Sequence, residues 1–404
     1  MARPKRQEFR SNLLTFRQRA RLTQEQVAER VGTSAESVSR HERGTTTPGP
    51  YYRRRYCELY AASEEQLGFA TPALAVIAAP ELAAPTEEIG DVLDRVRLLT
   101  RLGDDELTVF ELAVDDLVGR YESLGPMKLA PLLLDQRRKL ERAIQEVRSP
   151  RQRQRLFALA GQVSGLLAYM AVNRERYPLA RAYTLEAMHL GTYAEDRDLL
   201  AWVKGTASFC EYYAGDFEQS VALAREGLEL AGTGPQTARL LINGEARALG
   251  KLGDVAGVHA AVDRAYDALD YVPAVPGVSP CVSFGAYSRS RLASNAVTAY
   301  VDLGLPDHVS MHAAQALDEF DNSDSSWSQS LIRLDLANSM VAAKSGDPDE
   351  AGQLVSTALG ISAGNPIASV VQRSRSFARA TRHWRNVAAV AQAHELVRSV
   401  ARLG

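Results

Sequence analysis

Residues 23–44, TQEQVAERVGTSAESVSRHERG, decide how the amino end of this chain is read. The stretch fits two short helices joined by a tight turn, the second carrying polar side chains outward. Ala28 is small where the helices must cross closely, and Gly32 relieves the turn. Val27, Val31 and Val38 point into a shared apolar core, while Ser34 or Thr33 can cap the second helix with Glu36 and Ser37 in its first turn. That is a helix-turn-helix, a motif whose second helix lies in the DNA major groove. His41 departs from the pattern, standing where an apolar residue usually closes the core.

The charge around the motif agrees with it. Residues 1–60 carry 13 Lys and Arg against 6 Asp and Glu, a net of +7, and the rest of the chain holds 34 against 43, a net of −9, so the overall −2 hides a split. A basic head on an acidic body is the footprint of a DNA-binding module tethered to something that does not touch DNA. With 404 residues there is room for two or three domains. Cys57, Cys210 and Cys281 form no CxxC and keep no regular spacing, so they are expected to be reduced and buried, as in the cytoplasm. The start, MARPKRQEFR, leads into no apolar segment of an export signal, and the longest apolar run, residues 73–79, is far too short to span a bilayer. The expected location is cytoplasmic, on the nucleoid when DNA is bound, with no membrane partner.

Around the motif, residues 1–8 form a basic arm, with Arg3, Lys5 and Arg6 able to touch phosphates or a minor groove, or simply to keep a tail soluble. Residues 9–20 predict a first helix with Phe9, Leu13 and Phe16 at core spacing. Pro48, Gly49 and Pro50 break the chain before a fourth helix carrying Arg53, Arg54 and Arg55, and a fifth around residues 64–67 closes the domain. The domain is therefore set at residues 1–67, followed by an Ala/Pro-rich, semi-stiff linker at 68–86 and a body at 87–404.

The body shows no strand alternation. Residues 104–124 and 128–147 read as a first helix pair broken at Gly125 and Pro126. Similar turns then recur at Glu175, Gly215, Gly253, Gly304 and Gly346, separated by 40, 38, 51 and 42 residues. At about five, nine and twelve residues beyond each turn stand small or β-branched residues at helix-packing positions. They are Ala180, Thr184 and Ala187; Ser220, Ala224 and Gly227; Val258, Val262 and Ala265; Val309, Ala313 and Ala316; and Ala351, Val355 and Ala358. Small residues on one face let successive helices stack as a solenoid. The proline-bearing segment 271–284 reads as an insertion and a flexible loop.

The head, over about residues 9–67, resembles the lambda-repressor and Cro type, carried by "TQEQVAERVG", "SVSRHERG" and Pro48. The body looks like tetratricopeptide repeats, with a period longer than their usual ~34 residues, and armadillo-like stacking competes. Through "YESLGP", "GLLAYMAVNRERYPLARAYTLEAMHL" and "AWVKGTASFCEYYAGDF", the whole chain resembles a class of actinobacterial transcriptional regulators with a repressor-like head and a tetratricopeptide-like body. The fold class expected is therefore all-α: a five-helix DNA-binding domain followed by an α-solenoid of helical hairpins. The resemblance implies that Gln24 braces the DNA backbone. The residues themselves put Ser34, Ala35, Glu36, Ser39 and Arg40 on the recognition helix. Arg40 suits guanine O6/N7, Glu36 cytosine N4–H and the Ala35 methyl a thymine methyl, while Arg43 and Arg53 to Arg55 suit phosphates.

One such head makes a small interface, so two heads on a near-palindromic site of double-stranded DNA, and hence a homodimer, are expected. The concave face of the repeats, lined by the first helix of each, offers Tyr169, Asn173, Asn243, Arg247, Ser294 and Thr298 to an effector. The layout is similar to that of the peptide-pheromone receptors of Gram-positive bacteria, as an analogy of architecture. The effector classes expected are a peptide, a protein or a small molecule, the last enclosed near Trp202 within the cluster Trp202, Phe209, Tyr212, Tyr213 and Phe217. The alternative is an adaptor whose repeats recruit a partner protein to DNA. No phosphate-binding, dinucleotide-binding, zinc-protease or nucleophile-elbow motif occurs, so neither enzymatic activity nor a cofactor is expected. His308 and His312 share a helix face that reads as solvated rather than metal-binding, and the pairs at Asp104 and Asp115 read as helix-start acids.

Overall fold

The computed structural model describes residues 12–46, 48–64, 66–69, 89, 92–93, 104–343, 346–363 and 366–400. The basic arm, Phe9 and most of the linker lie outside the described residues. All regular structure among the described residues is helical, and the chain divides into two compact units, Met1–Glu88 and Ile89–Gly404.

The first unit contains α1 (Leu13–Arg19), α2 (Gln24–Val31), α3 (Ala35–Glu42) and α4 (Pro50–Tyr60). Thr23 starts α2 with a reciprocal capping box: its hydroxyl accepts from the Gln26 N–H at 3.3 Å, and the Gln26 side chain accepts from the Thr23 N–H at 2.9 Å. Gly32 ends the helix at φ 82°, a left-handed conformation that any larger residue resists. Ser34, not Thr33, then caps α3 by accepting from the Ser37 N–H at 3.2 Å. Leu13, Val27, Ala28, Val31, Val38 and Tyr56 form the core, joined by Leu67 and Phe69. His41 belongs to that core: it is buried, with Nδ1 3.2 Å from the Tyr56 hydroxyl. Burial, with the Arg40 charge beside it, holds its pKa below the ordinary histidine value, so the ring serves as a neutral wedge where the pattern called for an aliphatic one. The fifth helix anticipated at residues 64–67 spans residue 65, outside the described residues; Glu64, Gln66 and Leu67 lie in a turn capped by Ser63.

The second unit runs α5 (Asp104–Gly119), α6 (Tyr121–Glu146), α7 (Pro150–Asn173), α8 (Tyr177–Ala194), α9 (Arg197–Ala214) and α10 (Phe217–Ala231). Next, α11 (Thr237–Arg239) passes through a π-helix (Leu240–Ala246) into α12 (Arg247–Leu252). Then come α13 (Val255–Leu269), α14 (Arg289–Leu303), α15 (Pro306–Asp321), α16 (Ser326–Ala342), α17 (Pro348–Ile361), α18 (Ala368–Ala380) and α19 (Ala388–Val400). The break anticipated at Gly125 is a kink inside α6, where Gly125 has φ 75°. Asp115 and Asp116 lie late in α5 rather than at a helix start, and Asp116 pairs with Arg120 at 3.1 Å.

Each of the five recurring turns joins two helices. Gly215, Gly253 and Gly304 adopt left-handed φ, as does Glu175, and Asp216, Asp254 and Asp347 cap the helices that follow. All fifteen small or β-branched residues beyond those turns are buried. Where backbones meet, no side chain fits: a Cβ on Gly250 would stand 2.6 Å from the Ala299 carbonyl oxygen, and one on Gly244 would stand 2.7 Å from the Ala224 Cβ. The result is a helical repeat-like region. Among the described residues one helix, α7, is long and apolar enough to cross a bilayer, but its apolar window is 83% buried inside this fold.

Segment 271–284 is not the loose loop the sequence suggested, and with the residues up to 288 it forms one irregular stretch. It is irregular but pinned: Val282 and Ser279 are buried, and the Ser283 carbonyl accepts from Trp202 Nε1 at 2.9 Å. Gln236 Nε2 donates to the Phe284 carbonyl at 2.7 Å, and the Cys281 N–H donates to Glu122 at 2.7 Å.

Candidate DNA interface and repeat-body cavity

In the first unit Val38 and His41 face inward, leaving the rest of α3 for an outside surface. Ser34, Glu36, Arg40 and Arg43 are exposed, and Ala35 and Ser39 are half-buried at the edge of the same face. Glu36, Ser39, Arg40 and Arg43 follow helical spacing, so one strip carries acceptor, hydroxyl and two guanidinium groups. Arg43 is partly engaged, its Nε donating to the Ser39 carbonyl at 3.2 Å. Of the α4 arginines, Arg53 is turned back onto the Pro48 carbonyl at 2.8 Å, whereas the Arg54 side chain is 84% exposed with a loose 3.5 Å pairing to Glu58.

The groups that hold this strip in place were not read from the sequence. Arg17 on α1 grips Glu42 at the end of α3, Nε to Oε1 at 2.5 Å and Nη2 to Oε2 at 3.1 Å. Gln24 joins them, its amide donating to Glu42 Oε2 at 2.8 Å, so this side chain ties α2 to α3 within the protein. The available signal was a basic residue on the preceding helix, Arg17, and an acidic one at the end of the second motif helix, Glu42.

In the second unit the structure brings all six anticipated effector residues to one place. Tyr169, Asn173, Asn243, Arg247, Ser294 and Thr298 line a single cavity of about 60 Å³. They come from α7, the π-helix, α12 and α14, the first helices of successive hairpins, and Phe209 with Tyr213 of α9 completes that row. Asn173 donates to the Tyr121 hydroxyl at 2.6 Å, and Tyr169 stacks on Phe209 at 4.4 Å. Thr298 donates to Asp335 at 2.7 Å and accepts from Arg373 at 3.0 Å. Segment 271–288 supplies Cys281 and Tyr287 to the cavity wall, the work of the insertion. Beside it lies a groove of about 590 Å³, which shares Tyr213, Thr298, Ser369 and Arg373 with the cavity.

Two ion pairs, each with one buried and one half-buried partner, frame the site: Arg291 with Glu122 at 2.7 Å and Arg373 with Asp335 at 2.9 Å. Burial raises the Asp335 pKa from its ordinary value, and the Arg373 charge opposes that. Burial likewise lifts the phenols of Tyr169 and Tyr121 well above their ordinary values. Trp202 lines neither space; it is fully buried between Arg239 and Phe284. The three cysteines are free thiols, but only Cys210 is fully buried, and burial pushes its pKa up to about 11.

Of the His308 and His312 face, His308 is half-buried and only His312 is closed off from solvent. His312 is buried, stacked on Tyr300 at 5.4 Å and hydrogen-bonded to Tyr266 at 3.0 Å, because the α13 and α14 aromatics close over it. Burial, with the neighbouring His308, lowers its pKa to about 4. Among the described residues no three His, Cys, Asp or Glu side chains gather as metal ligands.

None of the curated proteins compared with the chain matches it. A family of helix-turn-helix domains does match, over residues 8–68, so the first unit is a helix-turn-helix domain of the kind found in DNA-binding regulators.

Proposed function

We propose that the protein is a sequence-specific DNA-binding transcriptional regulator, not an enzyme. In this reading a repressor-like head reads the operator, and a tetratricopeptide-like body dimerises and senses a signal in its cavity. The observation that carries the first half is the outward strip of α3, held by its caps and by the Glu42 tie within a matched helix-turn-helix domain. Support for the second half is the convergence of polar side chains from successive hairpins on one cavity. Two heads on a near-palindromic site follow from the small footprint of one.

Selection of duplexes from a random pool by the full chain, repeated with variants, tests the reading. Arg40→Ala is expected to lower specific affinity by about 1–3 kcal/mol and to relax preference at one base position. Arg54→Ala is expected to weaken all sequences together and flatten the salt dependence. If no sequence is enriched, or if both variants act alike, the assignment of α3 as the reading helix falls.

A further inference from the structure

We propose that the body cavity is a receptor site for a carboxylate, borne by a small organic acid or by the free end of a short peptide, with Arg247 as its anchor. The proposal rests on the sensing role given above to the repeat body.

Charge balance is the first argument. Arg291 and Arg373 are each paired with a carboxylate, and Lys251 at the groove is paired with Asp302 at 2.6 Å. Among the described residues, no carboxylate lies within ion-pair distance of Arg247, although it is only 4% exposed. A guanidinium cannot shed its proton, so burying it without a counter-charge is costly. Stacking over Tyr212 at 4.4 Å and donation to Asn243 and to the Tyr213 hydroxyl offset part of that cost, yet its Nε has no partner. Arg239 is also buried without a carboxylate, but it is closed in by Trp202 and Thr206 and lines neither space.

The backbone gives a second, independent argument. Asn243 sits within the π-helix, and Arg247 follows directly after it. Such helices are rare, have poorer geometry than an α-helix of the same length, and concentrate at functional sites. Here all seven residues are buried, so the fold holds an unfavourable element at the point where both side chains reach the cavity.

Shape and field agree. Burial alone would raise the Tyr213 phenol, but Arg247 and Arg373 draw its pKa below the ordinary value, the mark of a positive field. Around cavity and groove together, six cationic side chains face four carboxylates, inside a body that is acidic overall. The 60 Å³ cavity has room for several waters or one carboxylate head, and the adjoining 590 Å³ groove takes the rest of the ligand.

The test is a thermal melt of the full chain with millimolar probes: random tripeptides with free carboxyl ends, the same tripeptides amidated, short-chain monocarboxylates, and chloride and phosphate as inorganic controls. Free acids are expected to raise the melting temperature and amidated peptides are not. Arg247→Met keeps the volume and removes the charge. It is expected to melt at or above the wild-type temperature and to bind the active probe about tenfold or more weakly. Tripeptides acting where monocarboxylates fail, or the reverse, identifies the source of the carboxylate. Equal stabilisation by acid and amide, or by chloride and phosphate, overturns the assignment, as does a silent melt with every probe. The acid-against-amide comparison uses the wild type, so it decides even if the variant misfolds. Unchanged probe affinity in a folded Arg247→Met also overturns the proposal. A carboxylate that binds through Arg247 yet leaves affinity for the selected DNA unchanged overturns the sensing role instead and leaves the site standing.

Discussion

Glu42→Ala should disable the head without removing any group from its outward strip. The carboxylate is 4% exposed and accepts two hydrogen bonds from Arg17 and one from Gln24, so it joins α1, α2 and α3. Removing one partner of a buried pair costs about 3–5 kcal/mol. Arg17 remains 17% exposed and keeps its bond to the Leu22 carbonyl at 3.1 Å, which brings the expected cost down to about 2–3 kcal/mol. A domain of this size rarely holds more than about 3–5 kcal/mol in total, so most of its margin would go. Hydrogen exchange of the full chain should then show α2 and α3 amides losing protection while those of α7 and α9 keep theirs. DNA affinity should fall with the folded fraction of the head, and the salt slope should not change, because no phosphate contact is lost. Glu42→Gln keeps the shape and should cost less. Lost DNA binding with full amide protection would mean that Glu42 acts at the DNA, and the tie would then not be its role.

Ala224→Leu and Ala351→Leu place a larger side chain at fully buried helix crossings and should each cost about 1–3 kcal/mol, while Glu218→Lys on the surface costs little; equal melts for all three would mean the repeat register is wrong. Gly250→Ala should destabilise the body by backbone collision with Ala299, and a melt unchanged from the wild type would place that contact elsewhere. His312 has a pKa near 4 in the fold against about 6.5 unfolded, so between those values the unfolded chain binds more protons. Its contribution is therefore full above about pH 6.5 and lost as the pH falls toward 4, by at most about 3 kcal/mol. His312→Gln should flatten the melting temperature of the body over that window, and identical pH slopes in the two proteins would refute the assignment.

The repeat grid was legible because stacking is a local demand repeated. Four of the five turns use a left-handed residue to end one helix, and every hairpin puts small or β-branched residues where the next crosses it. Gly215 with Ala224, and Gly253 with Ala265, record both demands in the sequence. The head was legible for the same reason, since caps, turn glycine and apolar spacing all fall within a short stretch. The core position of His41 was legible for the same reason, but its partner was not, because the Tyr56 hydroxyl that meets the ring comes from another helix. The burial of His312 was not legible either, because Tyr266 and Tyr300 close over it.

The cavity divides along the same line. Its lining residues repeat with the hairpins, so helical phase alone brought Tyr169, Asn173, Asn243, Arg247, Ser294 and Thr298 to one face. Its charge balance does not repeat. Whether a buried arginine is satisfied depends on Glu122 meeting Arg291 across 169 positions, or Asp335 meeting Arg373, pairings no periodicity encodes. The regular grid and the irregular site therefore call for opposite readings. Small residues that agree with every neighbour record the demands of stacking. Where the chain carries a π-helix and an unmatched guanidinium side by side, folding is served by neither, and such local conflict gathers where a protein binds something. Stabilising Arg247→Met substitution with loss of ligand response would be the direct expression of that conflict, since stability gained there is taken from binding.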